Sequence, residues 1–237
     1  MPSCTAGTPT SATWQGGTQS AMFDGKPARK ARITSTADHS FVVTFPTSPI
    51  RVIALIGTTL PDGTSLTLHG VSATVSNGAA WVILPATVSR VNITVAVSFT
   101  GTYDIGELFI GDAIELPLQT DLSLSFEDAT VVGDTIGLQP ANVVRPYRRR
   151  WLGVIQVQDT AATFTNTKSL QTVARALMGR KKAAFIPMTA TPATGKAATN
   201  QALIDATATF GFAEQVGEVS HVERGYWTMA INFVEIP

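Results

Sequence analysis

Ile50-Arg51-Val52-Ile53-Ala54-Leu55-Ile56-Gly57, followed by Thr58-Thr59-Leu60-Pro61-Asp62-Gly63, reads as a strand and its stop, and it decides the fold class. A nearly continuous apolar run of strand length fits a strand buried on both faces. Pro61 presets φ and Gly63 accepts a positive φ, so a turn follows. Upstream, Phe41-Val42-Val43-Thr44-Phe45 is a strand predicted to stop at Pro46. Downstream, Leu66 and Leu68 alternate, Asn77-Gly78 marks another turn, and Trp81-Val82-Ile83-Leu84 follows. Val91, Ile93, Val95 and Val97 form the clearest period-2 alternation in the chain, and Ile105 to Ile110 closes the series. Turn signals fall about every 8–12 residues, the spacing of a sandwich or jelly roll.

Outside this block the character changes. Residues 1–22 are rich in Ser, Thr, Gly and Ala and read as an extended N-terminal arm, too poor in apolar groups to order without docking. Residues 119–145 are transitional: Leu122, Leu124 and Phe126 alternate as a strand, while Gly133, Gly137 and Pro140 mark loops. Trp151 to Val157 alternates again. Asn166 to Met178 predicts the one convincing helix, with Asn166 or Thr167 as cap and Leu170, Val173, Ala174, Leu177 and Met178 on one face. Gly179 falls where a left-handed C-cap belongs, and Arg180, Lys181 and Lys182 suit the negative end of the helix dipole. Ala183 to Met188 and Thr209 to Val216 read as strands. The stretch Tyr226 to Val234 is another, with Trp227, Met229, Ile231 and Phe233 on one face and a semi-apolar second face that fits cover by a partner. The expected organisation is mainly β: an arm over 1–22, a β-sandwich over 23–118, a transition over 119–145, and a smaller β domain over 146–237 with its helix at 166–178.

Composition narrows the function. The 237 residues carry 17 basic and 17 acidic side chains, and only 14% are charged, against roughly 25% in ordinary soluble domains. Zero net charge lacks the basic excess that many phosphate contacts require, so no specific nucleic-acid recognition is expected. Low charge favours association, which suits an assembly subunit. A single cysteine, Cys4, excludes a disulfide or a thiolate zinc site drawn from this chain alone. No targeting signal is read at the N-terminus, and no stretch reaches the ~18 apolar residues of a membrane helix.

No motif predicts catalysis, a metal or a cofactor. His39, His69 and His221 lack ligand spacing. Asp38-His39-Ser40 holds the residue types of a triad, but adjacent side chains diverge. Asp104, Glu107 and Asp112 offer carboxylates for glycoside chemistry, yet strand residues three apart face opposite sides, and Glu107 sits among apolar neighbours. Phe23-Asp24-Gly25-Lys26 reads as an Asx-turn before it reads as a calcium loop. The dense cluster is Arg145, Arg148, Arg149 and Arg150 beside Tyr147 and Trp151: either a solvated loop entering a strand or, with Tyr226 and Trp227, an interface patch, since Arg and aromatics dominate interface hot spots.

Two sets of residues carry a resemblance. Phe23-Asp24-Gly25, Ile50 to Gly57, Trp81 to Leu84 and Ile105-Gly106-Glu107-Leu108-Phe109-Ile110-Gly111 resemble the discoidin-type, galactose-binding-like jelly rolls of phage structural proteins, over residues 20 to 115. The later order of strand, capped helix and strands, ending on Gly225-Tyr226-Trp227-Thr228-Met229-Ala230-Ile231-Asn232-Phe233, resembles the tube-forming β-fold of phage tail-tube and distal tail proteins, with the domain order reversed or nested. That resemblance implies a virion structural protein of a tail tip or baseplate. It would form a homo-oligomeric ring, hexameric, joining tail tube to hub, with tape-measure-type proteins as further neighbours. Such a protein is made in the host cytoplasm and ends in the virion tail. Two alternatives stand beside it: a carbohydrate-binding module contacting the host surface, and a capsid or head–tail connector protein. Against the first, no aromatic-rich loop separates the strands of residues 41 to 111.

Overall fold

The computed structural model describes residues 4–16, 18–114, 122–128, 131–134, 140–143, 147–157, 169–179, 181–187, 201–222 and 225–236. Strands make up 59% of the described residues and helices 12%, so the protein is mainly β, with every ladder antiparallel among them. It divides into two compact units, Met1–Ala113 with Ile186–Ala208, and Ile114–Phe185 with Thr209–Pro237.

In the first unit, β1 (Thr5–Ala6), β2 (Ala12–Trp14), a 3-10 helix (Thr18–Phe23) and β3 (Ala31–Ser35) lead into β4 (His39–Ile56). After β5 (Ser65–Leu68) and β6 (Val71–Thr74) come β7 (Ala79–Val97), β8 (Gly101–Ile105) and β9 (Glu107–Gly111). One sheet runs β1-β4-β7-β5-β6 with β9 also on β4; a second runs β2-β3-β8. Both contribute to a single core that includes Ile33, Phe41, Ile53, Leu66, Ile93 and Tyr103. Each buried Leu, Ile or Phe stabilises by about 1.5–3 kcal/mol relative to exposure.

The decisive stretch behaves as its composition requires. Val52 to Leu55 are all buried, Ile53 and Leu55 in the shared core and Val52 and Ala54 on the opposite face, while β7 and β9 pair with the strand on either side. Pro46 does not end the strand. It falls in a register shift between Thr44 and Ser48, where no ladder bond is demanded of its missing N–H. Trp81 to Leu84 and Val91 to Val97 likewise belong to one strand, β7, which bulges between Ile83 and Val88 opposite Ile50 and Val52 of its partner. Asn77 and Gly78 have φ of 51° and 71°, and Ser76 and Ala79 exchange backbone hydrogen bonds of 2.8 and 3.1 Å, a two-residue hairpin turn with positive φ at both centres.

Ile105 to Ile110 is not one strand. The chain changes sheets at Gly106, where a Cβ would run into the Pro27 carbonyl oxygen and the Ile56 carbonyl oxygen. The N-terminal residues are not a separate arm: β1 pairs with β4, β2 with β3, and Cys4, Ala6, Ala12 and Trp14 lean on the core. Trp14 Nε1 donates to the Gly7 carbonyl oxygen and its ring meets Phe41 edge-on, so one aromatic anchors the segment.

The second unit holds β10 (Ser123–Glu127), the hairpin β11 (Val131–Asp134) and β12 (Pro140–Val143), β13 (Arg148–Val157), α1 (Leu170–Leu177) and β14 (Lys182–Phe185). The helix α2 (Gln201–Thr207) belongs to the first unit, where Gln201 Nε2 donates to the Trp81 carbonyl oxygen. The second unit resumes with β15 (Thr209–Val216), β16 (Ser220–Val222) and β17 (Tyr226–Glu235). Its sheet runs β10-β13-β17-β15-β14, with β16 also on β17. The predicted helical stripe is largely present: Leu170, Val173 and Ala174 are buried and Leu177 packs beside them against Ile155, Met229 and Ile231. The cap is Ser169, whose hydroxyl accepts from Thr172 N; Asn166 and Thr167 lie outside the described residues. Met178, expected on the stripe, is the C-cap with ψ 146°, so it leaves the helical face and is exposed. Gly179 has φ 78°, as a helix stop needs. The helix α2 and the 3-10 helix, each of two turns or fewer, are too short for an apolar period to announce them. No helix among the described residues is long and apolar enough to cross a membrane.

Candidate functional site

The arginine cluster lies within a strand rather than a loop. Period-2 geometry sends Arg149 to one face of β13 and Arg148 and Arg150 to the other. Arg149 binds Glu235 of β17 with Nε and Nη2 at 3.0 and 2.6 Å from Oε1, and its backbone N donates to Oε2. On the opposite face, Arg148 pairs with Glu127 of β10 at 2.7 Å. Arg150 reaches Glu127 at 2.7 Å and Glu214 of β15 at 2.9 Å. Asn232 of β17 donates weakly to the same Glu214 at 3.4 Å. The result is a chain of alternating charge across three strands, β10, β13 and β15, with Glu127 shared by two guanidinium groups. Such a row restrains strand register as well as adding modest stability. Arg145, grouped with these residues, lies outside the described residues.

Beside this charged row, Leu152, Val154, Gln215, Ala230 and Asn232 line a shallow depression of about 330 Å³. Leu152 is 42% exposed there, on the face away from α1. At the other end of β13, Tyr147 is 65% exposed and meets Phe126, 61% exposed, with ring centroids 5.5 Å apart and planes 74° from parallel. Sequence reasoning missed Phe126 as a surface residue, because its alternation with Leu124 reads as a buried face.

Trp151, expected at an interface, is instead buried with Ala213 and Phe233, and its Nε1 donates to Thr209 Oγ1 at 3.0 Å. Trp227 is half-buried against the helix-side core and meets His221 edge-on at 4.9 Å; Tyr226 beside it is half-buried. The structure therefore joins Arg148, Arg149 and Arg150 into one strand and leaves Tyr226 and Trp227 at the far end of β17, since Trp227 pairs with Val157 while Val234 pairs with Arg150.

The residues weighed for chemistry have other partners. Asp38 accepts from Ser98, Ser40 lies against Thr10, and His39 turns inward, its Nδ1 on the Ala37 carbonyl and its Nε2 2.7 Å from Tyr103 Oη. With Nδ1 donating to the carbonyl, Nε2 accepts the Tyr103 proton. Burial lowers the His39 pKa and raises that of Tyr103, so both are held neutral. Asp104 is gripped by Arg32 at 2.7 and 3.0 Å, which holds its carboxyl below the usual range. Glu107, beyond the Gly106 corner, is buried on the other sheet, and Asp112 accepts from Thr87 and the Ala113 backbone. Asp24 accepts from Lys26 N at 2.7 Å with Gly25 at φ 66°, an Asx-turn. His69 sits at φ 52°, 3.5 Å from Arg90. No group of three or more His, Cys, Asp or Glu among the described residues could hold a metal. No protein-family model matches the chain, and no curated protein matches it either.

Proposed function

We propose that the chain is a virion structural protein of a phage tail tip or baseplate, a distal-tail-like subunit whose copies form a ring between tail tube and hub. In this reading the first unit is a galactose-binding-like sandwich and the second a tube-type β domain with one flanking helix. The observation that carries it is the second unit's sheet. One face is covered by α1, while the other presents a row of ion pairs and the exposed Leu152, and β10 at its edge exposes Leu124 and Phe126. Exposed apolar groups beside charge, Leu152 on one face of the sheet and Leu124 and Phe126 on the other at its edge, have the composition of a protein interface. Low charge density in the whole chain works in the same direction.

Light scattering on the purified chain across a range of concentrations, followed by imaging, tests the reading. A ring-sized species, or mass that grows with concentration, is the expected result. A strict monomer at every concentration sinks the ring and moves the first unit toward glycan recognition, which a panel of host glycans and lipopolysaccharides then tests.

A further inference from the structure

Among the described residues β10 is an edge strand, laddered on β13 alone. Ser123 to Phe126 are all exposed, with Leu124 at 37% and Phe126 at 61%. Soluble proteins normally protect such an edge with charge, proline or a bulge. Ser123-Leu124-Ser125-Phe126 has neither charge nor proline, and its register on β13 is unbroken from Ser123 to Glu127. Tyr147 packs on Phe126, so the apolar surface continues from the edge onto one face of the sheet.

The strand is also self-complementary. Two copies laid antiparallel about Ser125 set Leu124 of each opposite Phe126 of the other, and Ser123 of each opposite Glu127 of the other. Directly opposed residues share a face. Both Leu–Phe pairs therefore join one apolar strip flanked by the two Tyr147 rings, while Ser123 hydroxyls can donate to Glu127 carboxylates on the other face. The contact is isologous, so it closes on itself.

We propose that β10 is a homotypic docking edge, to which a second copy of this chain adds its own β10 antiparallel, centred on Ser125. Backbone hydrogen bonds supply the affinity and the Leu124–Phe126 pairs the register. The proposal rests on the assembly reading above and adds to it a two-fold contact that head-to-tail ring closure does not require. The opposite edge, β14, is the poorer occupant. Successive antiparallel ladders make β10 and β14 run in the same direction. A copy related by rotation about the strands would then lay them parallel, with Lys181 and Lys182 beside the start of β10 rather than beside Glu127.

The test uses the full chain with Cys4→Ser, so that an introduced cysteine is the single thiol. With Ser125→Cys, the two copies' Cα atoms at the two-fold lie about 4.5–5.5 Å apart, within disulfide reach. With Ser123→Cys, each thiol faces Glu127 and lies about 14 Å from its mate. Mild oxidation and non-reducing electrophoresis should give a disulfide dimer for Ser125→Cys at least ~10-fold above Ser123→Cys. Adding Phe126→Lys should reduce it by about the same factor through an unpaired charge in the strip. Equal cross-linking at both positions, or none at Ser125, overturns the proposal. A ladder of higher species formed only when Ser125→Cys is combined with Ala184→Cys overturns it in favour of β14. A ring-sized mass without the Ser125 disulfide would reject the β10 contact while retaining the assembly reading. A cross-linked dimer that never grows would do the reverse.

Discussion

The two units solve the β-sheet burial problem differently. In the first, two sheets share a core, the middle of β4 is covered on both faces, and its charges stand in separate pairs such as Arg32–Asp104. In the second, one sheet buries one face under α1 and gives the other to a linked row of ions, with Leu124, Phe126, Tyr147 and Leu152 exposed. A core closed within the chain is a stability device. A sheet held in register by cross-strand charge, with apolar groups exposed on both of its faces, buries less of its apolar surface within the chain.

The largest test of that contrast is removal of one tryptophan from each unit. Trp81→Ala should cost the first unit about 3–5 kcal/mol and Trp151→Ala the second a similar amount. Hydrogen exchange resolved by peptide should show each loss confined to its own unit. Equal loss everywhere would mean that the chain has one cooperative core. Next comes Gly106→Ala, which sets a methyl against backbone carbonyls at the corner between sheets and should destabilise the first unit by about 1–3 kcal/mol in urea unfolding.

Arg150→Ala breaks two half-exposed ion pairs and should cost the second unit about 1–2 kcal/mol, less at high salt. Arg32→Ala, removing one more exposed pair, should cost less. If the order is reversed, the charged row is not what holds the second sheet in register.

The smallest effect is acid sensitivity. His39 has a lowered pKa in the fold, so the unfolded chain takes up its proton first as pH falls. Stability from neutral His39 is then complete above the ordinary histidine pKa and is lost as pH falls from there toward the lowered value. Melting curves between pH 7 and 5 should show the first unit weakening, and His39→Gln should flatten that slope. Asp104, lowered by Arg32, contributes a loss only at more acid pH, below the ordinary carboxylate range. A slope that survives His39→Gln would assign the acid response elsewhere.

Local chemistry made several features legible before any coordinates. The Asn77-Gly78 turn follows from the tolerance of those residues for positive φ, the Asp24 turn from a short acceptor two residues before an N–H, and the α1 stripe from its spacing. The double-faced burial of Val52 to Leu55 follows from a run with no polar alternation. Strand ends were less legible. Pro46 looked like a stop because a proline cannot serve a ladder, and only the register shift opposite it shows that no ladder bond was required there. Gly106 reads as part of a strand because its neighbours are apolar, and only the carbonyl of Pro27, far away in sequence, shows that no side chain fits at this corner.

The candidate surface divides along the same line. That Arg148, Arg149, Arg150 and Trp151 are chemically equipped for contact is written in their types. Which of them face outward depends on partners that folding brings from afar: Glu127, Glu214 and Glu235 for the arginines, Thr209 and Phe233 for the tryptophan. Composition and periodicity establish a mainly β chain of low charge with one amphipathic helix, because propensity and solvent exclusion act within a few residues. Strand register, sheet edges and the pairing of charges come from contacts between residues 20 to 90 apart. Those contacts exist only once the sheet has closed.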